Sequence, residues 1–245
     1  MTKRRSKTAR TVKHKFVKER RGRINNDPLR PLNRKQQAYI ELLEERTVVV
    51  ATGLPGSSKT YIPTVLACDK FRTSETDTII FCRPAISNSK SLGFFGGSRQ
   101  EKMENWLSPV IRILRQRLGN EALEIALKHD DIVYQPLETI KGCSFDNSWI
   151  IIDEAEDLTV EEVIKICTRV GRNSKLIFAG DITQSELKDR SGLKFLMEFA
   201  KRQNLGKDFG FIDFNDTDDI VRSDAVKSFI VALNRDEKEF GRLDK

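Results

Sequence analysis

Lys59 and Thr60 close the octapeptide Gly53-Leu54-Pro55-Gly56-Ser57-Ser58-Lys59-Thr60, which follows the β-branched run Thr47-Val48-Val49-Val50 and precedes the apolar stretch from Tyr61 to Ala67. Small residues between a strand and a helix let backbone N–H groups close around phosphate oxygens. In that setting Lys59 neutralises the β- and γ-phosphates of a nucleotide, Thr60 offers its hydroxyl to Mg²⁺, and Tyr61 opens the helix whose N-terminus faces the phosphates. Ser58 stands where the pattern has glycine. If the loop needs a positive φ there, serine costs about 1–2 kcal/mol. A Ser/Gly turn with an incidental lysine is the competing reading of the octapeptide alone.

Two further segments have the same design, an apolar strand ending in polar residues. Trp149-Ile150-Ile151-Ile152 runs into Asp153-Glu154-Ala155-Glu156-Asp157. The run is short and β-branched and reads as a buried strand. At its carboxyl end Asp153 is expected to hold Mg²⁺ and Glu154 to polarise the attacking water, while Glu156 and Asp157 read as an acidic cap on the next helix. The second segment is Lys175-Leu176-Ile177-Phe178-Ala179-Gly180-Asp181-Ile182-Thr183-Gln184. The amide of Gln184 can hydrogen-bond both a γ-phosphate and a catalytic water. Ordinary turn chemistry is the alternative for Gly180-Asp181.

These strands need helices between them, and the alternation of strand and helix patterns from about Leu32 to Val231 predicts a single α/β domain. The boundaries are a disordered basic arm and linker over residues 1–30, a domain over 31–235 and a charged tail over 236–245. No run is long and apolar enough to span a membrane, and the basic N-terminus has no signal-peptide core, so a cytoplasmic protein is expected. Cys68, Cys82, Cys143 and Cys167 lack metal-site spacing and read as reduced thiols. Residues 1–24 hold eleven Lys/Arg against Glu19 alone, +10, while the whole chain is +7, so the remainder is −3. A basic arm with few apolar residues suits a polyanion; a solubility tail is its bland counterpart. Arg83, just beyond the strand pattern Thr78-Ile79-Ile80-Phe81-Cys82, either faces nucleic acid at the same sheet edge or pairs with a carboxylate.

Asp153-Glu154-Ala155-Glu156 together with Gly180-Asp181-Ile182-Thr183-Gln184 resembles the superfamily 1 helicase core, and more closely the PhoH-like ATPases. Asn33-Arg34-Lys35-Gln36, Arg83-Pro84-Ala85, Leu92-Gly93-Phe94, Gln100-Glu101-Lys102, Thr168-Arg169-Val170-Gly171, Ser191-Gly192-Leu193 and Asp219-Ile220-Val221-Arg222 extend the resemblance in order across about residues 31–232. It implies a RecA-like P-loop NTPase fold, a mostly parallel sheet with helices on both faces. It implies ATP and Mg²⁺ as cofactors, and RNA or single-stranded nucleic acid as partner. It also implies a homohexameric ring whose ATP site is completed in trans. Gln36 would read the adenine edge, Arg83 and Lys141 would contact nucleic acid, and Arg222 would be an arginine finger from the neighbouring subunit; an intrachain pair with Asp219 or Asp224 is the alternative for Arg222. The chain departs from the family pattern at Leu54, Pro55 and Ser58, at Lys141-Gly142-Cys143-Ser144-Phe145, where one of two cations is kept, and at Glu156, where the family has glutamine. The reading is an ATPase coupled to nucleic acid. Its rivals are a nucleotide-gated RNA-binding protein that hydrolyses weakly and, less favoured by the Gly-Asp-x-x-Gln segment, a small-molecule kinase.

The charge split makes the arm testable. Removing residues 1–24 is expected to lower nucleic-acid affinity and flatten its salt dependence, because each neutralised phosphate contributes about 0.7 to the slope on single strands. A salt slope unchanged by the truncation contradicts this.

Overall fold

The computed structural model describes residues 24–84, 108–135, 137, 140, 144–185, 187 and 190–240. Six strands are present among them: β1 (Val48–Gly53), β2 (Thr78–Cys82), β3 (Ile132–Tyr134), β4 (Ser148–Asp153), β5 (Lys175–Gly180) and β6 (Phe209–Phe214). The helices are α1 (Arg34–Glu45), α2 (Tyr61–Arg72), α3 (Ser108–Leu118), α4 (Asn120–Lys128), α5 (Val160–Cys167), α6 (Gly192–Arg202) and α7 (Asp224–Phe240). The strands form one sheet in the order β3-β2-β4-β5-β1-β6, with every pairing parallel.

Strand periodicity sorts the core into two layers. Val49, Ala51, Ile79, Phe81, Trp149, Ile151 and Ile177 face one side and pack on α1 to α4, including Tyr39, Leu43, Ile62, Leu66, Val110 and Leu114. Their neighbours Val48, Val50, Ile80, Cys82, Ile150, Ile152, Leu176 and Phe178 face the other side against Val163 and Ile166 of α5 and Leu193 and Leu196 of α6. Both faces are therefore covered, which is why β1, β4 and β5 read as continuous apolar runs rather than as alternating ones. This is the expected RecA-like arrangement. In such a sheet the crevice lies beyond the carboxyl ends of the strands. Here the ends of β1, β5 and β4 are adjacent there, in that order.

Two boundaries differ from the sequence expectation. Residues 24–30 carry no regular structure, yet they are laid against α3: the Asn25 N–H donates to the Gln116 carbonyl (2.7 Å) and Arg117 Nη1 to the Asp27 carbonyl (2.7 Å). Arg117 is buried and clasps Asp69 of α2, and its remaining donor needs an acceptor, which the incoming chain supplies. At the other end α7 continues through residues 236–240, where a tail was expected; Glu and Lys in that stretch favour helix. Lys141 lies outside the described residues, as do Cys143 and residues 1–23. No helix among the described residues is long and apolar enough to cross a membrane.

Candidate functional site

The turn after β1 is shaped by what surrounds it. Gly53 has φ +120°, and a Cβ there would lie 2.4 Å from the Phe214 carbonyl oxygen of β6, so no other residue fits without displacing that strand. The Leu54 N–H donates to the same carbonyl at 3.0 Å. Ser58 is left-handed, with φ 70°. The loop therefore does need the conformation that glycine supplies, and serine carries it at a cost of about 1–2 kcal/mol.

The loop meets β4 through a single carboxylate. Thr60 Oγ1 donates to Asp153 Oδ1 at 2.7 Å, and Arg83 donates to Asp153 Oδ2 from Nε (3.1 Å) and Nη2 (2.5 Å). Arg83 also stands 3.6 Å from Glu154. The guanidinium that was expected to face either nucleic acid or a carboxylate thus faces this acid pair. Lys59 Nζ folds back onto the loop, donating to the Gly53 and Leu54 carbonyls at 2.6 and 2.9 Å. Burial lowers its pKa, while Asp181, Glu156, Glu154 and Asp153 act in the opposite sense. The Lys59 carbonyl accepts from the hydroxyl of Tyr39 (3.0 Å), a fully buried residue of α1. Nothing in the apolar spacing of α1 distinguishes Tyr39 from an ordinary core residue.

The acids after β4 separate by burial. Glu154 is left-handed (φ 55°) and its side chain is half exposed. Glu156, expected in a helix cap, is instead 4 % exposed in the turn Ala155–Asp157, and α5 is capped by Thr159 with Glu162 in a reciprocal box. Glu156 Oε2 accepts from the Asp181 N–H at 3.0 Å. Burial, and then hydrogen bonding and charge repulsion from Glu154, push its carboxyl up to about 8. Asp181 in turn accepts from the Gln184 amide at 2.9 Å. Lys59, Thr60, Asp153, Glu154, Glu156 and Gln184 all line one cleft of about 810 Å³.

Arg222 lines the cleft beside Val221, whereas Gln36 lies behind the lining residue Leu32. Gln36 is 3 % exposed; its Oε1 accepts from the Leu32 N–H (2.9 Å), while its Nε2 has no partner. Lys35 ties the start of α1 to the turn Thr217–Asp219, reaching Asp219 at 2.9 Å and Asp216 at 2.6 Å. That turn delivers Val221, whose N–H donates to the Gly56 carbonyl at 3.0 Å, and Arg222, whose Cγ would be 3.1 Å from a Cβ on Gly56. Arg222 is exposed, as expected, but it lies over the loop of its own chain and forms neither of the anticipated pairs with Asp219 or Asp224.

The family model described as PhoH-like protein matches residues 28–234. The chain belongs to the PhoH-like family. PhoH-like proteins of Synechocystis sp. and Bacillus subtilis are 30 % and 31 % identical to it over 91 % and 82 % of its length. Protein PhoH of Escherichia coli is 30 % identical over 81 %. The chain spans 66 %, 62 % and 56 % of those relatives' own lengths. Among solved structures, the HK97 bacteriophage large terminase superposes with a TM-score of 0.52 at 11 % identity, covering 86 % of this chain and 48 % of that one, a likeness of fold.

A PhoH-like P-loop fold implies Mg²⁺, and the donors here fit it. Thr60 and Asp153 present hard oxygens 2.7 Å apart, and no cluster of three or more potential side-chain ligands is present among the described residues. One hydroxyl and one carboxylate, supplemented by water and phosphate, suit Mg²⁺ better than a metal that needs an all-protein cage.

The buried Glu156 carboxyl has a consequence for stability. Because its folded pKa exceeds its ordinary value of 4.5, the folded chain holds a proton that the unfolded chain releases. Its contribution is thus fully present below about pH 4.5 and is lost as pH rises towards about 8. Glu156→Gln, which does not titrate, is expected to gain on the wild type by up to a few kcal/mol, to order of magnitude, between those pH values in urea denaturation. A difference independent of pH contradicts the assignment.

Proposed function

We propose that this chain is a Mg²⁺-dependent ATPase that couples ATP binding and hydrolysis to RNA or single-stranded nucleic acid within a homohexameric ring. The observation that carries the hydrolytic half is the Thr60–Asp153 hydrogen bond of 2.7 Å, which closes the phosphate loop onto the acid at the end of β4. Thr60 and Asp153 would hold Mg²⁺, which when bound neutralises charge on the phosphates. Lys59 exchanges its loop carbonyls for phosphate oxygens, since the same ammonium cannot satisfy both. Glu154, half exposed beside the buried acids, accepts from the attacking water. Gln184, held by Asp181, orients that water.

The base is recognised at the mouth of the cleft. The unpartnered Gln36 Nε2 supports pairing with an adenine acceptor, because a buried amide N–H left without a partner costs about 1–3 kcal/mol. Leu32 and Tyr61, both exposed and both lining the cleft, offer apolar surface to the ring faces. The basic arm supports the nucleic-acid half through its charge. The position of Arg222 supports action on the nucleotide of its own chain; the neighbouring subunit of the ring then completes the site with other groups.

Three variants test this. Lys59→Ala is expected to abolish nucleotide binding, while Glu154→Gln keeps ATP bound and slows hydrolysis about 10²–10⁴-fold; equal loss of affinity in both removes Glu154 from the chemistry. RNA is expected to stimulate phosphate release, and indifference to RNA favours the nucleotide-gated binder. Arg222→Ala is expected to lose about 10³-fold in rate, and mixing it with Lys59→Ala chains is expected to restore nothing, because each intact group remains in a chain lacking the other. Recovery of activity in the mixture returns the arginine to its neighbour's site.

A further inference from the structure

Glu156 has no part in the roles assigned above, and its surroundings differ from those of every other acid in the cleft. Its carboxyl is 4 % exposed, and Oε2 receives the Asp181 N–H at 3.0 Å. A Cβ on Gly180 would stand 2.4 Å from that oxygen, so the carboxyl rests directly on the backbone where β5 turns. Its own carbonyl accepts from Ser185 Oγ (2.8 Å) and Ser191 Oγ (3.2 Å), which fixes the turn from the side of α6. The Glu156 carboxyl thus holds the Asp181 backbone, and Asp181 in turn accepts from the Gln184 amide at 2.9 Å.

We propose that Glu156 is the positioning residue of the hydrolytic step: its carboxyl accepts from the Asp181 backbone and rests on Gly180, holding the Gly180-Asp181 turn and, through Asp181, the water-orienting Gln184 in register. The inference rests on the hydrolytic reading above. It touches neither nucleotide nor metal and acts through its neighbours. Glutamine has the same length and a carbonyl that accepts, so it can keep the Asp181 contact. Methionine fills the same space and cannot accept it.

The test compares Glu156→Gln and Glu156→Met with the wild type in the full chain, measuring ATP turnover, ATP affinity by equilibrium titration, and thermal unfolding. Glu156→Gln is expected to keep kcat within about threefold, whereas Glu156→Met loses about 10²-fold in kcat with ATP affinity nearly unchanged, as misplacement of a reacting group does. Equal kcat in both variants, or a loss in Glu156→Met that lies in ATP affinity, overturns the proposal. So does failure of Glu156→Met to fold while Glu156→Gln is fully active, because the requirement is then for folding. A wild-type chain that binds ATP without turning it over overturns the hydrolytic reading instead, whereas an active wild type with indifferent variants overturns only the role of Glu156.

Discussion

Asp153 receives two hydrogen-bond donors from different parts of the sheet, Thr60 on one oxygen and Arg83 on the other, and the geometry of the cleft follows from that sharing. Thr60 ends the loop after β1, Arg83 follows β2, and Asp153 ends β4, so one carboxylate fixes the mutual position of three strand ends. An ionised acid at such a site costs desolvation, which the guanidinium and the hydroxyl offset through charge-assisted hydrogen bonds. The loop itself is held against the sheet independently, by Tyr39 from α1 and by the Phe214 carbonyl of β6.

Electrostatics in the cleft are a balance between one buried cation and several acids. Burial lowers the Lys59 pKa, and the nearby Asp181, Glu154 and Asp153 act in the opposite sense. Burial pushes the Glu156 carboxyl up, to about 8. Removing any one charge would therefore alter the state of the others, so effects of substitution in this group should not add.

The sheet and most of the site were legible because fully buried parallel strands cannot hide: Val48–Gly53, Ser148–Asp153 and Lys175–Gly180 are apolar runs that stop where polar chemistry begins. Lys59, Thr60, Asp153 and Gln184 could be placed from that alone. Glu156 could not, because an acid two residues beyond Glu154 in Glu-Ala-Glu-Asp reads as helix-capping charge, and only the close approach of the Gly180 turn buries it. The side of Arg222 was equally hidden. It depends on Lys35 gripping Asp216 and Asp219, a contact between segments far apart in sequence. Residues 24–30 looked like linker because their anchoring is through backbone groups, which leave no trace in residue type.

If the convergence of Thr60 and Asp153 builds a metal-assisted phosphate site, a calorimetric titration of the wild-type chain with a non-hydrolysable ATP analogue, run with Mg²⁺ and again with a chelator, tests it most directly. One nucleotide is expected to bind per chain, with affinity falling at least about tenfold, or about 1.4 kcal/mol, when Mg²⁺ is withdrawn. Absence of binding, or an affinity indifferent to Mg²⁺, would contradict it.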